Sequence, residues 1–213
     1  MRIAILLFDR LAALDAVGPY EVLRYTEGAE VVFVGKEKGE VRAGQGTLGL
    51  VVDASLDEVR EADIVVVPGG PGQVDLMADE EVLSWLRAVD ATSTWTTSVC
   101  TGSLVLAAAG LLEGRRATSH WLALDQLPAF GAVPTEERVV FDGKYVTAAG
   151  VSAGIDMALA LVDRVAGNVA AQAIQLGLEY DPHPPHDTGS PAKAPEPIVT
   201  SMRANSRFFL QDT

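Results

Sequence analysis

The chain of 213 residues has few of the side chains that form disulfides and metal sites: it contains one cysteine, Cys100, and three histidines. A single thiol cannot close a disulfide within the chain, and no pair of histidines shows the spacing of zinc ligands. His183 and His186 lie close together, but the stretch around them is rich in proline and a poor frame for a rigid metal site. We therefore expect neither a disulfide nor a metal.

Basic side chains are also scarce, since 16 lysines and arginines stand against 29 acidic residues and leave a net charge of −13. Nucleic acids and anionic membrane surfaces are bound through basic clusters, and the sequence has none. It also lacks the run of about 20 apolar residues that spans a bilayer. The apolar run at 3–8 ends at Asp9 without a cleavage site, so we interpret it as a strand rather than a signal peptide. We expect a cytoplasmic protein that binds neither nucleic acid nor membrane.

Apolar residues, by contrast, make up 48% of the chain and form the runs typical of an α/β protein. Continuous runs, which indicate parallel strands with helices on both faces, occupy residues 2–8, 30–35, 62–69 and 94–99. Helix-like segments follow at about 18–26, 79–90, 102–109 and 121–127, with Asp79 as an N-cap and Gly110 and Gly131 as stop signals. This alternation predicts a doubly wound, mostly parallel sheet flanked by helices, of the flavodoxin-like type.

Other segments depart from this alternation. The glycine-rich stretch 40–55 predicts a small antiparallel excursion, and an Asp-Gly turn within 137–150 predicts a hairpin. Residues 180–199 are rich in proline and too polar for a core, so we interpret them as an extended arm. Further helix-like segments lie at 153–166, 168–179 and about 197–211. We expect a single domain over residues 1–213.

The only cysteine follows the fourth strand-like run, where Cys100, Thr101 and Gly102 form a predicted tight turn into a helix. Hydrolases present a nucleophile on such an elbow, with its side chain clear of the sheet. The free N–H groups of a helix N-terminus lower the pKa of a thiol, so we predict a depressed pKa and rapid alkylation below about pH 7. The alternative is a buried cysteine that serves as a small apolar side chain.

Two other titratable residues have both a functional and a structural interpretation. Asp15 follows the first strand and is predicted to reach the edge where ligands bind in a parallel sheet, but it is also a candidate N-cap for the next helix. His120 is a candidate base, with a hydrogen-bonded structural histidine as the simpler alternative.

Two backbone segments are predicted at the same edge. The glycines of "PGGPG" (68–72) either end a strand or form an oxyanion hole, in which the N–H of Gly69 or Gly70 acts together with that of Thr101. The segment "AAGVSAG" (148–154) follows the hairpin and brings Val151 to the wall of the predicted pocket.

Several motifs together resemble the ThiJ/PfpI superfamily, with its class-I glutamine-amidotransferase-like fold. These motifs are "VVPGG", "SVCTGSLVLAAAGLLEGRRATSHW" and "GVSAGIDMALAL". Within the superfamily, "LDAVGPYEVL" and "LEYDPHPPHDTGSPAKAP" resemble the isonitrile hydratase subgroup, and the likeness extends from residue 2 to about 200. The resemblance implies that Cys100 is the nucleophile, Asp15 its acidic partner and Thr101 a support for the thiolate. It also implies a homodimer without a metal or organic cofactor.

The resemblance further implies a reaction on a small molecule, an isonitrile. The thiolate of Cys100 would attack the terminal carbon to give a thioimidate, and Asp15, kept protonated by burial, would supply the proton. Water would then release an N-substituted formamide. Peptidases of the superfamily carry histidine directly after the cysteine, where this chain has Thr101, and many members have glutamate in place of Asp15.

Three alternatives share the elbow sequence. A glyoxalase or deglycase-like enzyme would use the same cysteine and acid on reactive carbonyls. A redox- or stress-sensing dimer would oxidise Cys100 without turnover. Sensor domains of AraC-type regulators join the elbow to a helix-turn-helix domain, which we do not expect in a chain this short and acidic.

Overall fold

A seven-stranded sheet forms the centre of the computed structural model, which describes residues 1–206. Residues 1–206 contain eleven strands, of which seven form this sheet and four form two small two-stranded sheets. They are β1 (Arg2–Leu6), β2 (Glu30–Gly35), β3 (Gly39–Ala43), β4 (Leu48–Val52), β5 (Ala54–Ser55), β6 (Ile64–Val67), β7 (Trp95–Val99), β8 (Arg116–Ala117), β9 (Val133–Pro134), β10 (Val139–Asp142) and β11 (Tyr145–Ala148). The central sheet has the order β10-β11-β7-β6-β1-β2-β5, while β3 pairs with β4 and β8 with β9.

The predicted mostly parallel sheet is confirmed. Strand β1 pairs in parallel with β2 and β6, and β7 pairs in parallel with β6 and β11. All four residues of β6 are buried, as expected for a strand with helices on both faces. The antiparallel excursion is β3–β4, and the Asp-Gly turn joins β10 to β11 in an antiparallel hairpin. Both predictions are therefore correct.

Seven α-helices connect and flank these strands in residues 1–206. They are α1 (Ala13–Leu23), α2 (Gln73–Met77), α3 (Glu80–Thr92), α4 (Gly102–Ala108), α5 (Ala153–Ala166), α6 (Asn168–Gly177) and α7 (Glu196–Ala204). Asp79 caps α3 as predicted, because its Oδ1 accepts hydrogen bonds from the N–H groups of Glu81 and Val82. The short helix α2 was not predicted.

Two predicted helices need correction. Helix α1 begins at Ala13 rather than at residue 18, so Asp15 lies in its first turn and is not its N-cap. The rule that proline favours a first turn misplaced the start, since Pro19 lies inside this helix. The predicted helix 121–127 is a 3₁₀ helix, Leu124–Phe130, which ends at Gly131 in the left-handed conformation.

The C-terminal region starts with an irregular, mostly exposed segment at 181–195 and continues into α7. The arm predicted at 180–199 therefore gives way to a helix at Glu196, and the end of the helix predicted at 197–211 lies outside the described residues. In residues 1–206, no helix combines the length and apolarity needed to cross a membrane. The same residues contain no cluster of histidine, cysteine, aspartate and glutamate suited to hold a metal ion.

Candidate active site

Cys100 lies on the predicted elbow, in a backbone conformation that few residues other than glycine adopt. Its φ is 59°, between the end of β7 and the start of α4 at Gly102. Gly102 makes the turn possible, because a Cβ atom there would lie 2.0 Å from the carbonyl oxygen of Val67. A left-handed residue of this kind costs about 1–3 kcal/mol and persists only where its surroundings hold it.

Hydrogen bonds hold the elbow from both sides. The N–H of Cys100 donates to the carbonyl oxygens of Ala148 and Ala149, at 3.1 and 2.9 Å. Its own carbonyl oxygen accepts from the hydroxyls of Ser103 and Ser119, at 3.2 and 3.1 Å. Cys100 is 1% exposed, so its thiol lies in a site from which bulk water is excluded.

Asp15 is fully buried beside this thiol. Its Oδ2 accepts the N–H of Gly69 at 3.0 Å, while Oδ1 is buried and receives no hydrogen bond from a nitrogen or oxygen donor in residues 1–206. Burial raises the pKa of Asp15 to about 7, against the smaller opposing effects of the Gly69 N–H and the Cys100 side chain. The carboxyl therefore exchanges its proton near neutral pH.

Burial also raises the pKa of the Cys100 thiol, and the negative charge of Asp15 raises it further. The N–H groups of Val151 and Thr101 act in the opposite direction, but they do not compensate. The predicted depressed pKa is therefore wrong. The prediction considered the helix N-terminus and omitted both the desolvation of a thiolate and the neighbouring carboxylate.

The predicted oxyanion glycines have other partners. The N–H of Gly69 donates to Asp15, and the N–H of Gly70 donates to Thr101 Oγ1 at 3.0 Å. A Cβ atom at Gly69 would lie 2.5 Å from the backbone nitrogen of Thr101, so the loop packs directly against the elbow. In this structure the two glycines position the Asp15 carboxyl and the Thr101 hydroxyl, and their oxyanion role stays a prediction.

Val151 lies closer to the thiol than the prediction of a pocket wall implied. Its N–H interacts with the Cys100 sulfur together with the N–H of Thr101. Val151 also has a φ of 29°, which is a genuine outlier for a β-branched residue. Two backbone N–H groups thus favour the thiolate form of Cys100, although burial and Asp15 outweigh them.

His120 lies next to the same turn. A Cβ atom at Gly150 would lie 2.8 Å from its Cδ2, and its Nδ1 accepts the N–H of Leu122 at 3.2 Å. Burial lowers the pKa of His120, which favours the neutral imidazole. This geometry matches the structural interpretation, because one ring nitrogen is used by the local backbone.

A family model described as the DJ-1/PfpI family matches residues 1–164. The chain belongs to the DJ-1/PfpI family. The isonitrile hydratase of Pseudomonas putida is 45% identical over 203 residues, which are 95% of this chain and 89% of that protein. The deglycase PfpI of Pyrococcus furiosus is 30% identical over 69% of this chain and 89% of its own length.

The fold of this DJ-1/PfpI chain agrees with that of known members. A crystal structure of a THiJ/PfpI family protein from Pseudomonas syringae superimposes with a TM-score of 0.93 at 39% identity, over 96% of this chain and 85% of that one. The ThiJ/PfpI resemblance drawn from the elbow and strand-end motifs is therefore confirmed.

Several buried polar residues of this DJ-1/PfpI chain were not predicted from the sequence. Ser103 and Ser119 fix the elbow carbonyl, as described above. Gln73, the first residue of α2, is fully buried, and neither of its amide atoms has a hydrogen-bond partner in residues 1–206. The signal for Ser119 is its place beside His120 in the "ATSHW" motif, whereas nothing in the local sequence marks Gln73 as buried.

Proposed function

We propose that this protein is an isonitrile hydratase-like enzyme that converts an isonitrile into an N-substituted formamide. The observation that carries the proposal is the buried pair of Asp15 and Cys100, in which a carboxyl with a pKa of about 7 lies beside a thiol held on a strained elbow. The 45% identity to the Pseudomonas putida isonitrile hydratase supports the choice of substrate class.

The first step forms the nucleophile. Above about pH 7 the pair holds one negative charge and one proton, and the carboxylate of Asp15 takes the proton of the Cys100 thiol. The N–H groups of Val151 and Thr101 stabilise the thiolate that results. Because the thiol has the higher pKa, the proton rests on Cys100 in the free protein, and it moves to Asp15 as the sulfur attacks the substrate.

The second step joins sulfur to carbon. The thiolate attacks the terminal carbon of R–N≡C, and the proton now on Asp15 is transferred to that same carbon. The product is a thioimidate, R–N=CH–S–Cys100, which contains all the atoms of the isonitrile and of the thiol. Asp15 is left as a carboxylate, held by the N–H of Gly69.

The third step releases the product. Water adds to the thioimidate carbon with Asp15 as its general base, and Asp15 passes that proton to the imine nitrogen to give R–NH–CH(OH)–S–Cys100. The C–S bond then breaks as the hydroxyl proton of this intermediate is transferred through Asp15 to the leaving sulfur. The formamide R–NH–CHO leaves, and the pair returns to its starting state. The sum is one isonitrile plus one water, with no change in the oxidation state of the protein.

A formamide assay tests this proposal against its alternatives. Purified protein is incubated with a panel of aryl and alkyl isonitriles, and the N-substituted formamide is measured by NMR. We expect formamide with the natural sequence and none with Cys100→Ala. Consumption of methylglyoxal without any formamide would favour the glyoxalase or deglycase-like alternative. Oxidation of Cys100 with turnover of neither substrate would favour a redox-sensing dimer.

We also propose that the protein is a homodimer in the cytoplasm. Exposed apolar side chains on α6 support an interface, since Val169 is 82% and Leu176 78% exposed. A single free thiol suits a reducing compartment. Light scattering at micromolar concentration should give twice the mass of the chain, and a monomer mass would reject the dimer. Truncation after Tyr180 should lower stability if the arm packs on the partner.

A further inference from the structure

The left-handed conformation of Val151 needs a cause outside the turn itself. A β-branched residue does not adopt a φ of 29° unless its surroundings hold it there. The N–H of this residue is one of the two backbone donors on the Cys100 sulfur. Whatever fixes Val151 therefore also fixes a donor of the proposed active site.

Arg138 contacts the chain on both sides of Val151. Its carbonyl oxygen accepts the N–H of Ala149 at 2.9 Å, two residues before the strained position. Its guanidinium donates from Nη2 to Ser152 Oγ at 3.2 Å and from Nε to Asp156 Oδ2 at 2.5 Å, after the strained position. One side chain and its own backbone thus bridge the turn from both ends.

Tyr180 completes this arrangement from the chain that follows α6. Its hydroxyl donates to Asp156 Oδ1 at 3.1 Å and also interacts with Arg138. The carboxylate of Asp156 is therefore held through both oxygens. We call Arg138, Asp156 and Tyr180 the turn clamp.

The clamp is more than a surface ion pair or a helix cap. Asp156 lies in the first turn of α5, and Ser152 is the N-cap residue, yet the Ser152 side chain makes no capping bond. Its hydroxyl accepts from Arg138 instead. An exposed ion pair contributes little to stability, so the linking of both sides of one strained residue is what distinguishes this cluster.

We propose that the turn clamp holds Val151 in its left-handed conformation and thereby keeps the Val151 N–H directed at the Cys100 sulfur. Its members are positioning residues, because they act through Val151. The inference rests on the proposed isonitrile hydration for its kinetic consequence. Its effect on the thiol itself does not depend on the substrate.

The experiment compares Arg138→Gln with Arg116→Gln as a matched control. Arg116 is similarly exposed and pairs with Glu137, the residue next to Arg138, and within residues 1–206 its side chain forms no hydrogen bond or ion pair with the turn. Arg138→Gln should lower kcat for an isonitrile by about 10- to 100-fold with a smaller change in KM, as expected for a displaced donor. It should slow iodoacetamide alkylation of Cys100 and shift its pH profile upwards. Arg116→Gln should change none of these values.

Arg138→Gln is also made in a protein that already carries Val151→Gly. This pair of variants distinguishes a positioning role of Arg138 from a general structural one. Glycine adopts the left-handed conformation without strain, so Val151→Gly removes the need for the clamp. Arg138→Gln should therefore cost less than about 3-fold in kcat in that background. An equal loss in both backgrounds overturns the proposal, and so does unchanged alkylation in folded Arg138→Gln.

Two milder variants keep the test decisive if Arg138→Gln does not fold. Arg138→Lys should restore part of the activity, since an ammonium can pair with Asp156 but cannot fork to Ser152 as well. Tyr180→Phe removes one hydroxyl and should slow alkylation by a few-fold; normal rates in both variants contradict the clamp. If the natural sequence produces no formamide, the proposed function fails, while the alkylation profiles still decide whether the clamp exists.

Discussion

Asp15 and Asp90 are both buried aspartates, but they lie at opposite ends of the strands of the central sheet. Asp15 stands beside Cys100 at the carboxyl ends of the strands. Asp90 lies near the end of α3, where its Oδ1 accepts from Thr96 at 2.6 Å. Its Oδ2 is contacted by the Tyr145 hydroxyl and the Lys144 ammonium, each at 3.1 Å.

The two carboxylates differ in the number of hydrogen-bond donors and counter-ions that contact them. Asp90 has hydroxyl donors on both oxygens and a counter-ion. Asp15 has one backbone donor, from Gly69, and one oxygen that no nitrogen or oxygen donor of residues 1–206 reaches. A buried carboxylate with a full set of partners stabilises a fold, whereas one left short of partners holds its proton near neutral pH. We therefore expect Asp90 to have a structural role and Asp15 to act as the acid of the proposed reaction.

Removal of the Cys100 thiol should have the largest effect on activity. Cys100→Ala should lower isonitrile turnover by at least about 1,000-fold, because the thioimidate requires the sulfur atom. Cys100→Ser should also be inactive, since a hydroxyl loses its proton far less readily than a thiol. Thermal unfolding should remain cooperative in both variants. Full activity in Cys100→Ala would eliminate the covalent route.

Asp15→Asn tests whether the Asp15 carboxyl acts as an acid in the proposed reaction. The amide keeps an oxygen for the Gly69 N–H but cannot shuttle a proton, so formamide production should fall by about 100-fold or more. Asp15→Glu should keep partial activity, because the carboxyl group is retained. If Asp15→Asn works at the natural rate, the acid role is wrong and His120 becomes the next candidate.

Stability as a function of pH sharpens the comparison between the two aspartates. The pKa of Asp15 is raised from 3.8 to about 7 on folding, so the natural protein loses stability as the pH rises through this interval. Asp15→Asn carries no such charge and should gain roughly 2–3 kcal/mol relative to the natural sequence between about pH 5 and pH 8. Urea unfolding at the two pH values measures the gain.

Asp90→Asn is the matched control for that measurement. It leaves Lys144 without its buried counter-ion and should destabilise the protein by about 1–3 kcal/mol at both pH values. Were both asparagine variants to respond to pH in the same way, the distinction between a structural and a chemical acid would not hold.

The pH dependence of turnover is the smallest of the expected effects. The singly charged pair forms as the pH passes the value of about 7 at which Asp15 loses its proton. Turnover and alkylation should therefore rise by about 10-fold between about pH 6 and pH 8. Asp15→Asn should abolish this rise in rate near pH 7. A plateau that extends below about pH 6 would return the thiol to the depressed pKa expected from the helix N-terminus alone.

Much of the fold could be predicted from the sequence because its signals are local. Continuous β-branched runs mark β6 and β7, an Asp-Gly turn marks the hairpin of β10 and β11, and Asp79 marks the start of α3. The elbow at Cys100 is also local, since a strand end, a small-residue turn and a helix start follow one another along the chain.

The electrostatics of the site could not be predicted in the same way. The environment of Asp15 depends on the N–H of Gly69, and the pKa of Cys100 depends on burial and on Asp15. Each is a contact between distant parts of the chain, and no local pattern reports whether an N–H is free or already bonded. For this reason the partners of the two glycine N–H groups were not predicted and the depressed thiol pKa was wrong, although the site residues themselves lie at the carboxyl ends of the strands.

The distance along the chain between the parts of this site has a consequence for folding. The Gly69 N–H bond to Asp15 joins residues 54 positions apart, and the Gly70 bond to Thr101 spans 31. Contacts of this separation close slowly, because the loops between them must be ordered first. The elevated pKa of Asp15 should therefore develop only in the last phase of refolding. Alkylation of Cys100 during refolding would then show an early unprotected period, which ends when β1, β6 and β7 are aligned side by side.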